Sequence, residues 1–354
     1  MADSARIWTD KKLALMEKRL AETYRKASPS VSANFRKYIK ENRAELDELY
    51  EEYLDTKEEQ ALKRYQNKAR EKTVNNRNFQ RMVAGTAVLI MYLNRQTTDY
   101  VNRQMPDIYR RNNNQIDDNI RFLSRFLDLE KSTHHTTAQE AAQRVESNRD
   151  KFLRILNEKK DMLWNSREIN KIVASGIAKG ESIDKIADSV FPEIMSRTDT
   201  TGMTEEEKRS IIHKNEVSAR RTARTMVTYA ENRARLERYF AYEEDGIVVM
   251  KVWLATPDGR TRDWHLDMDG QEVLPHEYFI DGLGNELEEP GDTGAPPETV
   301  YNCRCAMTSH ILGVRQADGS IYDLSHYGKT TDFHTEQIAE ERKRREKKED
   351  EEED

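Results

Sequence analysis

Five residues stand out by type and spacing. His265, Asp267 and Asp269 fall in one short stretch, and Cys303 and Cys305 follow some forty residues later. These are the two cysteines of the chain. Three kinds of chemistry fit them. Two sulfurs at i and i+2 on a strand can aim at one ion, His265 can add a nitrogen, and Asp267 or Asp263 can complete the set. Tetrahedral zinc accepts such a mixture. A histidine with nearby aspartates also suits a metal-dependent hydrolase or nuclease. In the third reading the cysteines are small buried hydrophobes, and the histidine and aspartates satisfy backbone groups in turns. A Cys303–Cys305 disulfide is disfavoured by strain. On the residues alone all three readings stay open.

The elements that must position these residues are short. Residues 247–255 (IVVMKVWLA) are β-branched and apolar on both faces, which predicts a covered strand. Pro257-Asp258-Gly259 and Asp269-Gly270 read as turns, and residues 280–298, rich in glycine and proline, as a long loop. Tyr301 to Ile311 alternates as a strand. That would put Tyr301, Cys303, Cys305 and Met307 on one face, with Asn302 and Arg304 on the other.

Upstream, Thr204 followed by three glutamates predicts a capped helix start, with the helix running to about Phe240. Ala219, Ala223, Met226, Ala230 and Ala234 give it a face of small residues suited to close packing. Arg220, Arg221, Arg224, Arg233, Arg235 and Arg238 occupy its other faces. They read as a solvated side, or more sharply as a phosphate- or partner-binding face.

The rest of the chain also reads as helix. Residues 5–27 carry apolar positions at helical spacing, and Ser28-Pro29-Ser30 reads as a break. A second helix is expected over about 31–71, with an apolar stripe too thin for a buried helix. Residues 79–93 read as a buried core helix, and Met105-Pro106-Asp107 as a break. Asn112-Asn113-Asn114 is a loop or a polar helix face, and Phe122, Phe126 and Leu129 continue a helical stripe. Thr137 and Glu140 sit at capping-box spacing before a helix expected to reach Trp164. Ser182 can cap 183–190. From about 336 the chain is low-complexity charge and reads as a solvating tail.

Composition narrows the classes. Hydrophobic residues are 36% and charged residues 35% of 354, too polar for one large core. Two cysteines suit a reducing compartment. No apolar run approaches a membrane span, and the first residues lack a signal peptide's apolar core. The expectation is a soluble protein made in the cytoplasm. The net charge of −7 conceals asymmetry: residues 41–60 hold nine acidic and two basic residues, residues 61–125 thirteen basic and five acidic. The basic block keeps a nucleic-acid partner open. Arg64, Lys68, Arg77, Arg81, Arg220 and Arg224 are the candidate contacts.

An ordered set of motifs resembles a known family. It comprises Trp253 on a strand, then Asp258, Arg260, Arg262 and His265, then Asp269-Gly270, Phe279 and Pro290-Gly291-Asp292. Asn302-Cys303-Arg304-Cys305 closes it. Together with Arg224-Thr225 and Asn232 on the preceding helix, this is similar to the phage head morphogenesis proteins typified by the Mu F protein. The resemblance covers about 170–312. Many relatives have four cysteines; here His265 stands at the place of one of them, and Met226 replaces a common acid. The resemblance implies a minor head protein, present in few copies in the virion and associated with the portal, with a part in head assembly and the fate of packaged DNA. Some relatives carry a toxin or transferase domain after the motif; the roughly 40 polar residues that follow here are not expected to form one.

The expected architecture is mostly α, with an elongated helical N-terminal part and a small α+β C-terminal module with short strands around a Gly/Pro-rich loop. The divisions are 1–75 (charged helices), 76–204 (helical), 205–315 (the Mu F-like module) and 316–354 (a charged flexible tail). The expected function is a non-enzymatic minor capsid protein inside the phage or prophage head near the portal. It would reside in the host cytoplasm during assembly, with a role in DNA packaging or ejection. Its partners would be the portal, other head proteins and double-stranded DNA. A metal-dependent hydrolase using His265, and a DNA-binding accessory protein outside the particle, are the alternatives.

Overall fold

The computed structural model describes residues 4–121, 135–192, 203–325, 337–345 and 347. The helices are α1 (Ser4–Asn42), α2 (Ala44–Thr56), α3 (Glu59–Lys72), α4 (Arg77–Asn102), α5 (Met105–Arg121), α6 (Ala138–Ser147), α7 (Arg149–Phe152), α8 (Glu158–Ala178), α9 (Ile183–Val190), α10 (Glu205–Arg209) and α11 (Ile211–Glu244). Strand β1 (Ile247–Leu254), helix α12 (Asp263–Leu266) and strands β2 (Glu272–Val273), β3 (Phe279–Ile280) and β4 (Glu286–Leu287) follow. Helix α13 (Pro297–Val300) and strands β5 (Ala306–Arg315) and β6 (Ile321–Asp323) come last. The protein is thus mostly helical with a small sheet module near its C-terminal end. The chain divides into two compact units, each drawn from separated stretches.

One unit comprises Leu15–Val101 and Ile155–Arg220. Its described residues are helical or in turns, and its core is aromatic at the centre. Phe35 meets Phe79 and Phe191 edge-on at 6.0 and 5.4 Å, with Tyr24, Tyr65, Ile90 and Ile186 fully buried around them. The expected break at Ser28-Pro29-Ser30 does not occur: α1 runs through Pro29 to Asn42. A mid-helix proline costs about 3 kcal/mol. Burying Tyr24, Val31 and Phe35 on the same helix contributes about 1.5–3 kcal/mol each, which offsets it. The expected single helix over 31–71 is instead the end of α1, then α2 and α3. Its stripe is thicker than the spacing suggests, since Leu46, Ala61, Tyr65 and Ala69 are buried. Helix α4 buries Phe79, Val83, Ala87 and Ile90, as a core helix should. Ser182 accepts from the Lys185 N–H to cap α9.

The other unit comprises Met1–Ala14, Asn102–Arg154 and Arg221–Asp354. The helix expected from Thr137 to Trp164 is interrupted. The capping box forms, but α6 ends at Ser147, α7 is one turn, and α8 starts afresh at Glu158 behind the Asn157 cap. Asn112-Asn113-Asn114 is a polar helix face rather than a loop, and Asn112 and Asn113 turn it inward. They are buried in α5, where their amides donate to Thr9 and to the Ala234 carbonyl. The stripe Phe122–Leu129 lies outside the described residues.

The sheet is antiparallel, in the order β2-β1-β5-β6, with β3 and β4 paired separately. Central β1 pairs Trp253 with Met307 and Leu254 with Ala306, with an irregularity at Val248/Val249. The small apolar core beneath it gathers Leu236, Tyr239, Trp253, Leu266, Phe279, Cys303, Cys305 and Met307. Gly313 allows β6 to approach, since a Cβ there would lie 2.2 Å from the Tyr322 carbonyl oxygen.

Residues 337–345, expected as part of a solvating tail, are helical and docked. Ile338 and Glu341 are buried, Arg342 donates to the Leu266 carbonyl, and Arg345 binds Asp263 and the Thr261 carbonyl. The basic run therefore has backbone acceptors, which composition cannot reveal. The acidic run Glu349–Asp354 lies outside the described residues.

Candidate functional site

The two cysteines precede β5 rather than lying on it. Asn302 takes a left-handed conformation, φ 62°, which ends the expected alternation. Tyr301 is therefore exposed, while Cys303, Cys305 and Met307 are buried. The N-C-R-C segment is a loop, and what holds it is α11.

Helix α11 clamps the loop through a row of side chains. Arg224 donates to the Asn302 side chain, and the Thr225 hydroxyl accepts from the Asn302 N–H at 3.0 Å. Thr228 donates to the Cys303 carbonyl at 2.7 Å and Asn232 to the Cys305 carbonyl at 3.3 Å. Arg235 donates to the Met307 carbonyl at 2.8 Å. The spacing of 3, 4 and 3 residues from Thr225 to Arg235 is one helical stripe. The remaining carbonyl, that of Arg304, accepts from Thr256 and from Arg6 on α1. Every loop carbonyl from Cys303 to Cys305 thus has a side-chain donor, which lets the loop be buried at little cost.

Two arginines expected on a solvated helix side are not there. Arg235 is 1% exposed and also bonds Asn112 and Glu231. Arg238 pairs with buried Asp117. Small neighbours such as Ala230 and Ala234, both fully buried, bring the helix close enough for its arginines to reach inward.

The turn residues face the same loop. Asp258 receives both guanidinium nitrogens of Arg304, and the Arg260 N–H. Burial opposes the Asp258 charge, but the Arg304 and Arg260 bonds outweigh it and hold the carboxyl well below the usual carboxylate range. Arg262 donates to the Tyr301 carbonyl, and Asp269 accepts from the Ala255 N–H. Gly270 has φ 76° and its N–H donates to the Trp253 carbonyl. The Pro290-Gly291-Asp292 loop passes against α11. Gly291 has φ 87°, and a Cβ there would stand 3.0 Å from the Tyr229 backbone nitrogen.

At the centre, His265 Nδ1 lies 3.6 Å from Cys303 Sγ and 3.6 Å from Cys305 Sγ. All three residues are at most 2% exposed. The ring stands edge-on to Trp253 and Trp264 at 5.6 and 6.4 Å. Its buried Nε2 has no hydrogen-bond partner among the described residues. The Cys305 N–H donates to Cys303 Sγ at 3.4 Å. The Cys305 side chain first, then its N–H and the nearby charges of Arg262 and Arg6, lower the Cys303 thiol pKa against burial, while the contact with Cys303 and burial push Cys305 up. Of the aspartates offered as a fourth donor, Asp267 is exposed and Asp263 is drawn to Arg345. Neither belongs to the cluster. A pocket of about 490 Å³ opens elsewhere in this unit, lined by Tyr229, Arg233, Glu288, Glu289 and Asp292 among others. The histidine and the thiols do not line it.

The basic residues offered as nucleic-acid or partner contacts separate into two kinds. Arg64, Lys68 and Arg220 are engaged by Glu52, by Glu45 and by Glu17 with Glu216 respectively. Arg224 holds Asn302. Arg77 and Arg81 are exposed on α4, one turn apart.

Sequence reasoning singles out the loop and, through Arg224, Thr225 and Asn232, part of its clamp, but not the rest. Thr228, Arg235 and Arg6 carry no motif that marks them. The available signal is the stripe of polar residues, Thr225, Thr228, Asn232 and Arg235, running beside a stripe of alanines.

Fold and site together define a small α+β module whose motif residues hold one buried loop against a long helix. Residues 167–308 match the family described as Phage Mu protein F like protein, and the segment is a module of that family. The match supports a phage head morphogenesis protein. A curated relative, NAD(+)--arginine ADP-ribosyltransferase EFV of Enterococcus faecalis (strain ATCC 700802 / V583), is 30% identical over 123 residues. Those residues are 34% of this chain and 25% of that protein. The chain thus spans about a quarter of the relative's length. No solved structure matches.

Proposed function

We propose that the protein is a minor capsid protein of a phage or prophage, a non-enzymatic assembly factor that docks on the portal and stays inside the head beside it. The observation that carries this reading is the family match over residues 167–308. The motif residues' roles support a structural part. They bond backbone or one another, and the histidine and thiols are too buried to meet a substrate.

Docking through helical faces is supported in the helical unit. Leu89 and Tyr92 on α4 and Leu163 and Trp164 on α8 are 39–55% exposed. The two helices run antiparallel, joined at Gln80–Asn170 and Asn94–Asp161. Large exposed apolar side chains on the two helices are the surface offered for docking. Contact with double-stranded DNA is assigned to Arg77 and Arg81.

Mass spectrometry of purified virions tests the reading: the chain is expected at low copy beside the portal. Its absence from particles would favour an accessory protein outside the head, and metal-dependent turnover abolished by His265→Ala would favour a hydrolase. Tyr92→Asp with Trp164→Asp should end co-purification with the portal while leaving helicity intact. For DNA, Arg77→Glu with Arg81→Glu should reduce the slope of log affinity against log salt by about 0.9 for each phosphate no longer neutralised. Undetectable duplex binding at low salt would remove the DNA part alone.

A further inference from the structure

We infer that His265, Cys303 and Cys305 form a binding site for a thiophilic metal ion, zinc by class, with both sulfurs and His265 Nδ1 as donors and a solvent molecule in the fourth position. The site goes beyond the head-protein assignment and does not depend on it.

The distances carry the argument. One ring nitrogen offers one proton or one lone pair, so a directed hydrogen bond would single out one sulfur. Nδ1 instead lies at 3.6 Å from both, which is the geometry of a shared centre. In tetrahedral zinc coordination, sulfur sits about 2.3 Å and nitrogen about 2.0–2.1 Å from the ion, which sets the nitrogen–sulfur edge at about 3.6 Å. The three donor atoms lie within 4.8 Å of one another.

Charge and burial agree with this. Two thiolates buried without a counter-ion would be costly. Two thiolates with a divalent ion are neutral, and a neutral group can occupy a site at most 2% exposed. The Cys305 N–H already points at Cys303 Sγ, as a donor to a metal thiolate would. Two sulfurs and an imidazole select zinc-like ions over magnesium or calcium. Three protein donors leave one corner open, and neither Asp267 nor Asp263 is placed to fill it. The burial assigns the ion a structural role. It would tie the α12 turn to the N-C-R-C loop, fixing from one side what α11 holds from the other.

The test uses the full chain, expressed with zinc and purified without chelator. Elemental analysis should find stoichiometric zinc, and X-ray absorption should resolve two sulfur and two lighter neighbours. Cobalt substitution should give a sulfur-to-metal charge-transfer band. Stripping the metal should lower the melting temperature and expose both thiols to alkylation. Cys303→Ser with Cys305→Ser should lose the metal; if that variant fails to fold, the wild-type spectra decide. A chain that holds no more zinc than a chelator-stripped control, and gives no thiolate band with cobalt, overturns the assignment.

Discussion

The Thr228 hydroxyl donates to the Cys303 carbonyl at 2.7 Å from the middle of a 34-residue helix. A mid-helix threonine usually bonds its own helix or faces solvent. Here it satisfies a buried loop, and Thr228→Val, which keeps the shape, removes that donor. Leaving one buried carbonyl without a partner costs about 1–3 kcal/mol. Urea unfolding should show that loss of stability, with a smaller one for Thr225→Val, whose bond to Asn302 is exposed. Equal midpoints for Thr228→Val and wild type would remove the clamp from the explanation of the loop.

Arg235 does more than one donor could. Its guanidinium reaches the Met307 carbonyl, Asn112 and Glu231 from a site 1% exposed. Breaking a buried, multiply bonded charge typically costs about 3–5 kcal/mol. Arg235→Met should fall in that range by chemical denaturation. Arg235→Lys should recover only part of it, because an ammonium lacks the planar fork. Full rescue by lysine would mean that charge alone matters.

Two groups near the pocket contribute to the pH dependence of stability. Burial raises Glu289 to about 8 against the pull of Arg233, with Asp292 and Glu288 adding to the rise. Burial lowers Lys251 to about 8, with Glu289 and Glu288 opposing. For Glu289 the folded pKa lies above the ordinary 4.5, so the folded state keeps a proton that the unfolded chain has released. Its contribution is full below about 4.5 and is lost as pH rises to about 8. For Lys251 the folded state sheds its proton first, so stability recovers between about 8 and 10.5. Melting temperatures across this range should dip near pH 8. Glu289→Gln should abolish the decline on the acid side of the dip and leave the alkaline recovery. An unchanged profile in that variant would assign the decline to other groups.

The local signals in the chain are legible. The β-branched run 247–254 is β1. Thr137–Glu140 and Thr204–Glu207 are both reciprocal capping boxes. These depend on a few adjacent residues, which a sequence displays directly. Features set by distant residues are not legible in the same way. Alternation puts Tyr301 on a strand because it cannot reveal the left-handed turn at Asn302. Helical spacing puts Arg235 and Arg238 in solvent because their acceptors, the Met307 carbonyl and Asp117, lie about 70 and 120 residues away. The donor set narrows for a related reason. The sequence puts Asp267 two residues from His265, but one turn of α12 directs the histidine inward and leaves the aspartate exposed.

Pro29 shows what decides such conflicts. It sits exposed inside α1, where it lacks the N–H that would bond to the preceding turn. The helix continues because Tyr24, Val31 and Phe35 on either side are buried in one core. Replacing it should therefore stabilise the fold. Pro29→Ala gains up to about 3 kcal/mol of helix propensity and forfeits about 0.4–1 kcal/mol, because the unfolded chain becomes freer. The net expectation is a gain of about 2 kcal/mol, read as a higher urea midpoint at an unchanged slope. Ser30→Ala, at the neighbouring exposed position, should move the midpoint far less. If Pro29→Ala lowers the midpoint instead, the proline is bending α1 into a shape its core requires, and tertiary packing does not merely override the break but uses it.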